Sequence, residues 1–368
     1  MQIDSVTLHQ YEIPLEEPFV TALKPIPELE RVLVEIETDN GLVGYGESAP
    51  AYEVTGETQR STMAVLEDIL APLVIGSDPI AIERVTSEMR SLVDGAPSAH
   101  AGLEIAMQDV RGKRADLPLY RLLGGHAETG SINVPVVLSI KDPDEMAADA
   151  KQAVEKGYKQ IKIKVGSDPT VDVARIEAID EAVPDDVSLK ADANQGWGDA
   201  KTSVSVLRDV QDRLDVIEQP VTNENIDDLA YLRRHLDVPV MPDESVETAA
   251  DATKLIERNA GDLYNIKLMK TGGLTEAARL NAVAEAAGRS TQLGSMVEGH
   301  IGTAAGVHFV TAYENVVWNE MVGPFMTNEG ITDLEYEVPE IVVDGPGLGV
   351  TVDHDRLDSL TSRTVVIE

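Results

Sequence analysis

The chain has no cysteine among its 368 residues. That excludes a disulfide framework, a thiolate metal site and a thiol nucleophile, and it leaves the redox compartment open. Basic residues are scarce: 30 Lys and Arg stand against 65 Asp and Glu, a formal charge of −35. Nucleic acid and anionic membrane would both be repelled by such a surface, so neither is expected as a partner. The acids are spread along the chain rather than gathered into blocks, which argues against an acidic interaction tail. The distribution suits a protein kept hydrated in concentrated salt, where screening shortens self-repulsion to about 3 Å at 1 M. A high-salt organism is the expected setting. No apolar run approaches the ~18 residues that span a bilayer, and residues 1–6 lack the basic and apolar regions of a signal peptide. A cytoplasmic protein is expected. A glycine-rich dinucleotide turn after an early strand is also missing, which counts against an open doubly wound sheet.

What is present changes character near Gly124-Gly125. Before that point, residues 6–13, 31–38 and 42–47 read as antiparallel strands, the last two joined at Asp39-Asn40-Gly41. Residues 18–27 are too rich in proline for regular structure, and helical spacing takes over from 58 to about 114. The first region is therefore α+β. After it, short apolar strands alternate with helices. Strands are expected at 132–139, 160–165, 188–193, 216–218, 238–241, 263–268, 291–294 and 316–320, with helices such as 143–156, 171–182, 200–210 and 274–287 between them. Eight strands alternating with helices over ~200 residues is the arithmetic of a (β/α) barrel. A tail from about 324 carries a strand-like 340–344 and a glycine-rich turn.

Strand side chains alternate faces, so in Gln160-Ile161-Lys162-Ile163-Lys164-Val165 the apolar residues face one way and Lys162 and Lys164 the other. A solvated face of an edge strand is the ordinary explanation for one such motif. The pattern recurs, however. Lys190, Asp192 and Asn194 share a face of their strand, as do Asn265 and Lys267, and Glu218, Asp243 and Glu244 fall at two further strand ends. Barrel chemistry sits at those ends. Any one aspartate could be a helix cap. Several inward carboxylates together need counter-charge, and the oxygen-only set Asp192, Glu218 and Asp243 favours Mg²⁺ or Mn²⁺. Lys164 and Lys267, from the second and sixth barrel strands, would face each other across the mouth. A substrate between them could lose a proton to one and regain it from the other.

Five blocks, Lys162-Ile163-Lys164, Asp192-Ala193-Asn194-Gln195-Gly196-Trp197, Glu218-Gln219-Pro220, Asp243-Glu244-Ser245 and Ile266-Lys267-Leu268-Met269-Lys270-Thr271-Gly272-Gly273, together resemble the enolase superfamily in order and spacing. The subgroup it resembles is that of muconate lactonizing enzyme, and the resemblance covers nearly the whole chain. It implies an α/β fold: an N-terminal α+β capping domain (1–125), a modified (β/α)8 TIM barrel of (β/α)7β form (126–325), and a C-terminal segment (326–368) packing back on the cap. It also implies Mg²⁺ on Asp192, Glu218 and Asp243, acid/base roles for Lys164 and Lys267, and electrostatic assistance from Lys162.

Residues 18–24, 54–58 and 294–298 resemble dipeptide epimerases most closely, with Lys24 placed to receive an acidic side chain. Asn194, Glu244, Lys270, Ser295, Glu298 and Glu320 are further candidates for contacts with the substrate or with the catalytic groups. One segment departs from the epimerase pattern. Where those enzymes carry Asp-x-Asp for the substrate ammonium, this chain reads Asn319-Glu320-Met321-Val322-Gly323-Pro324, which resembles the Glu-x-x-Gly-Pro of cycloisomerases.

The resemblance implies a metal-dependent isomerase that takes the α-proton of a small carboxylate, a racemase or epimerase of an amino-acid derivative or dipeptide. Alternatives are a muconate-type cycloisomerase, an o-succinylbenzoate-synthase-like lyase, a Schiff-base aldolase and a non-catalytic metal-binding barrel. A homo-oligomer is expected. His100, His126, His235 and His300 read as surface or capping residues.

Overall fold

The antiparallel cap is built from β1 (Ile3–Val20), β2 (Pro25–Thr38) and β3 (Val43–Ser48). The computed structural model describes every residue except 21–24, 127 and 328–329, so the expectation for Lys24 lies outside the described residues. The turn before β3 closes with Gly41 at φ 80°, a left-handed conformation that glycine adopts without strain. The proline-rich stretch is more regular than its composition predicts. β1 extends to Val20 and β2 starts at Pro25, with Phe19 opposite Ile26 after a register break between Pro14 and Phe19. Prolines are tolerated there because the break already interrupts the ladder.

The helix Pro97–Ala115 lies directly on β3. A Cβ on Gly46 would stand 1.9 Å from the Gly102 carbonyl oxygen, so only glycine permits this approach. Ile3, Val6, Leu8, Val32, Val34 and Ile36 meet the cap helices in a core of their own.

The barrel strands follow a short antiparallel strand, β4 (Gly130–Asn133). They are β5 (Val136–Leu138), β6 (Gln160–Lys164), β7 (Ser188–Asp192), β8 (Val216–Glu218), β9 (Val240–Met241), β10 (Leu263–Ile266), β11 (Ser290–Leu293) and β12 (Val316–Asn319). The expected first strand, 132–139, is thus two strands. Pro135, which has no N–H to donate, separates them. β5 to β9 form one parallel run and β10 to β12 another. Asp262 N–H to Val240 O (2.8 Å) and Asn265 N–H to Pro242 O (3.0 Å) join the two.

Seven main crossover helices connect these strands: Pro143–Glu155, Pro169–Ala182, Ala200–Leu207, Ile226–His235, Ala249–Arg258, Leu274–Ala286 and His300–Ala312. After β12 comes only a 3₁₀ turn, Gly323–Met326. This is the (β/α)7β arrangement of a TIM-like barrel. The remaining chain adds β13 (Glu335–Glu337), which pairs with β14 (Glu340–Val343), which in turn pairs with β4, and β15 (Thr361–Ile367), which pairs antiparallel with the outer edge of β1.

Candidate active site

Lys164, Asp192 and Glu218 are neighbours in register across three parallel strands: Lys164 lies opposite Asp192 and Asp192 opposite Glu218. Parallel strands stand about 4.8 Å apart, so these three side chains leave adjacent backbones at the same height. β6 and β10 are four strands apart in a ring of eight, which puts Lys164 and Lys267 on opposite sides of the mouth.

The strand ends are shaped by tight turns. A Cβ on Gly166 (φ 97°) would fall 2.2 Å from the Ala193 carbonyl oxygen. Asn194, Gln195 and Gln219, just beyond Asp192 and Glu218, have positive φ without being glycine, a strain that persists where surrounding contacts impose it. The buried Asp172 supplies part of that constraint. It accepts hydrogen bonds from Gly166 N–H (2.8 Å) and Trp197 Nε1–H (2.9 Å) and is paired with Arg175 (2.6 Å).

Five lysines and five carboxylates interlock in the barrel, each at most 8% exposed: Lys162, Lys164, Lys190, Lys267 and Lys270 with Asp192, Glu218, Asp243, Glu244 and Glu320. The Lys162 ammonium lies 3.0 Å from Asp192, 2.7 Å from Glu218 and 2.8 Å from Glu320. Burial opposes its charge, but these three carboxylates more than reverse that, holding it well above the ordinary lysine range.

Lys164 donates to Asp192 Oδ2 (2.6 Å) and Asn194 Oδ1 (2.9 Å). Across the mouth, Lys267 donates to Asp243 Oδ2 (2.7 Å) and Lys270 to Asp243 Oδ1 (2.5 Å). Burial would raise the Asp243 pKa, and the two lysines drive it well below the usual carboxylate range. Glu218 is pushed up to about 8 by burial and by Asp192, and Glu244 to about 7 by burial and by Asp243. Asn265 Nδ2 donates to Glu218 Oε1 (2.8 Å) and Asn194 Nδ2 to Glu244 Oε1 (3.1 Å). Among the described residues, no three His, Cys, Asp or Glu side chains form a ready metal-ligand shell; ammonium groups stand among the carboxylates instead.

The remaining candidates divide. Ser295 Oγ–H and Met296 N–H (3.0 Å for the latter) donate to the Glu298 carboxylate, tying the loop after β11 to itself. Glu320 lies against the catalytic groups, one of the two placements its sequence position allows. Both its oxygens are engaged, Oε2 by Lys162 and Oε1 by Lys190 (2.8 Å) and Gln292 Nε2–H (2.9 Å), so it is held within the barrel rather than offered to a substrate ammonium. Those ammonium groups hold it well below the usual carboxylate range against the effect of burial. Two histidine expectations need correcting, since His100 and His300 are buried; burial, and after it Arg90, lowers His100 to about 4. Lys190, Gln292 and Trp318, whose ring lies 4.9 Å beneath the Lys190 ammonium, were not singled out as site residues. Their signal was available, because Lys190 shares Asp192's face two residues earlier.

The fold and this cluster define a class: a barrel enzyme whose strand ends present facing lysines above buried carboxylates. Residues 3–124 match the family model for the mandelate racemase / muconate lactonizing enzyme N-terminal domain, and residues 145–356 match the enolase C-terminal domain-like model. The chain belongs to this enolase-superfamily family. It is 38% identical to N-succinyl-L-Arg/Lys racemase of Bacillus cereus over 98% of each chain. The crystal structure of that racemase superposes with a TM-score of 0.97 over 100% of both chains, at 37% identity. A dipeptide epimerase from Enterococcus faecalis, solved with Mg and the dipeptide L-Leu-L-Tyr, superposes at 0.92 with 35% identity, covering 95% of this chain and 100% of that one. A chloromuconate cycloisomerase of Pseudomonas putida is 30% identical over 98% of this chain and 99% of its own. All are isomerases, and this chain is an isomerase of the same family.

Proposed function

We propose that the chain racemises or epimerises a carboxylate-bearing amino-acid derivative at its α-carbon, by removing the proton on one face and returning one on the other. The observation that carries this reading is the placement of Lys164 and Lys267 across the mouth, each against its own aspartate (2.6 and 2.7 Å). A single-face acid/base site would need only one of them.

Asp192, Glu218 and Asp243 would suit a hard divalent cation in place of the Lys162, Lys267 and Lys270 ammonium groups that stand among them. These carboxylates offer oxygen only, they are fully buried, and Glu218 Oε2 receives no hydrogen bond of good geometry despite its charge pairing with Lys162. Mg²⁺ is the favoured ion, as in the similar epimerase, and Mn²⁺ suits the same donors. When bound, such an ion supplies positive charge beside the substrate carboxylate, where a second negative charge develops as the α-proton leaves. Lys164 and Lys267 would take and return that proton, and Lys162, ringed by carboxylates, would stay charged and hold the substrate carboxylate.

N-acyl amino acids are favoured over dipeptides with a free amine. The Asp-x-Asp pair is replaced by Asn319 and Met321, and Glu320 is already neutralised by two lysines. Incubating the protein with Mg²⁺ in D₂O at low and molar salt, with N-acyl amino acids, dipeptides and cis,cis-muconate, tests this. Deuterium entering the α-position of N-acyl amino acids is expected. Lactone formation from muconate without α-exchange would instead support the cycloisomerase reading, which the Glu-x-x-Gly-Pro stretch favours. Rising activity with salt would support the high-salt setting.

The metal-free protein should lose stability as pH rises. Glu218 and Glu244 keep protons to about 8 and about 7 in the folded state, whereas the ordinary glutamate value is 4.5. Between those values the unfolded chain binds fewer protons than the folded one, so stability present below about 4.5 is lost on the way to 8, at about 1.4 kcal/mol per unit for each proton. Cation binding by Asp192, Glu218 and Asp243 removes the need for the Glu218 proton and offsets the Asp192 and Asp243 charges that raise Glu244. Thermal unfolding with EDTA should therefore fall more steeply from pH 6 to 8 than with saturating Mg²⁺; equal slopes would count against these carboxylates as the metal site.

A further inference from the structure

The loop 295–299, between β11 and the helix His300–Ala312, is held in place from the other domain. It leaves the barrel at the mouth, where Gly294 N–H donates to Ile266 O (2.7 Å), next to Lys267. Within it, Val297 adopts φ 57°, a left-handed conformation that a β-branched residue avoids unless its surroundings impose it. Within the loop Val297 N–H donates to Ser295 Oγ (2.7 Å), and from the capping domain comes Arg31 on β2. Its guanidinium donates to Met296 O (3.0 Å) and to Val297 O, the two carbonyls that flank the twist.

Beside it, Glu47 on β3 lies 3.6 Å from Arg31 Nε. The Glu47 carboxylate accepts Gly299 N–H (2.6 Å) and Gly302 N–H (3.1 Å), the donors of the cap residue and of the third residue of the helix. Gly299 has no side chain with which to cap its own helix, so a carboxylate of the capping domain does so instead. A Cβ on Gly299 would reach 3.0 Å from Glu47 Oε2. Arg31 and Glu47 are 4% and 0% exposed. Neither lies in the catalytic cluster, and the proposed chemistry uses neither.

We infer that Arg31 and Glu47 are positioning residues, a clamp from the capping domain that sets the conformation of loop 295–299 and so the grip on the part of the substrate beyond its α-carbon. This rests on the reading that the barrel mouth binds an α-substituted carboxylate. The clamp couples domain docking to substrate affinity: only a cap seated on the barrel can fix the loop. The lysines and carboxylates on β6 to β10 are held by their own contacts.

The test is hydrogen exchange and steady-state kinetics on full-length, Mg²⁺-loaded R31M. R31M/E47Q serves as a second variant in which Glu47 is not left charged opposite a missing Arg31. In both, amides of 296–303 should exchange about tenfold faster while those of Pro169–Ala182 are unchanged. KM for an N-acyl amino acid should rise about tenfold, with kcat changing less than about threefold. R31K, which reaches one carbonyl, should fall between. Unchanged exchange at 296–303, faster exchange spread evenly over the chain, or a fall in kcat alone would each overturn the clamp. If the wild type turns over none of these substrates, the proposed function fails, and the exchange measurement still decides the clamp.

Discussion

Lys164→Ala should slow racemisation severely in both directions while leaving α-proton exchange with one enantiomer intact. The two lysines lie on opposite sides of the mouth, so removing one leaves the other still able to deprotonate the enantiomer whose α-proton faces it. That proton can be lost to solvent and replaced from the same side, giving exchange with retention. Lys267→Ala should show the mirror result. Loss of one positioned acid/base is expected to slow inversion by about 10²- to 10⁴-fold. Chiral chromatography combined with deuterium incorporation, starting from each pure enantiomer, distinguishes the two variants. Loss of exchange with both enantiomers in either variant would mean one lysine serves both faces.

The second large effect is on stability. Glu320→Gln removes a charge on which Lys190 and Lys162 both depend, each 2.8 Å away and nearly inaccessible to solvent. Lys162 keeps Asp192 and Glu218 as ion-pair partners; Lys190, among the described residues, keeps the Gln292 amide, the face of Trp318 and the more distant Glu218 charge. Stranding one buried charge in this way costs about 3–5 kcal/mol. K190M/E320Q, which removes both partners, should recover much of that loss, because contacting residues do not behave additively. Urea unfolding of the two variants measures it. If E320Q were as stable as wild type and raised KM for substrates with a free amine, Glu320 would be a substrate contact after all, as its sequence context suggests.

The contrast between Lys164 and Glu320 shows what the sequence made legible. Alternation along a strand decides which residues point inward, and a parallel barrel places all strand C-termini on one face. Lys162, Lys164, Asp192, Glu218, Asp243 and Lys267 could therefore be brought together on paper. Which inward residue pairs with which depends on depth within the barrel, and sequence spacing carries no depth. Glu320 followed the last strand in the manner of a mouth residue, yet Lys190, one inward position below Asp192, reaches it. Likewise the clamp joins Arg31 to Val297 across 266 residues. Domain docking alone makes that contact, and no local pattern announces it. Pro135 marks the split of β4 from β5, but the β-branched residues on either side make the stretch read as one strand. His100 and His300 illustrate the reverse: His100 lies against Gly272 of the barrel, and His300 against Gly330, Thr332 and Tyr336 of the C-terminal segment, contacts that the helices' own sequences do not reveal.

The account stands on proton transfer between two faces, and early-time isotope content tests that most directly. One enantiomer of an N-acyl amino acid, protiated at the α-carbon, is mixed with the Mg²⁺-loaded enzyme in D₂O, and inverted product and recovered substrate are analysed within the first few per cent of conversion. The inverted product should carry deuterium from the outset, because its new α-hydrogen comes from the lysine opposite the one that removed the old. Product that retains the original protium would contradict two facing bases and with them the assignment of Lys164 and Lys267.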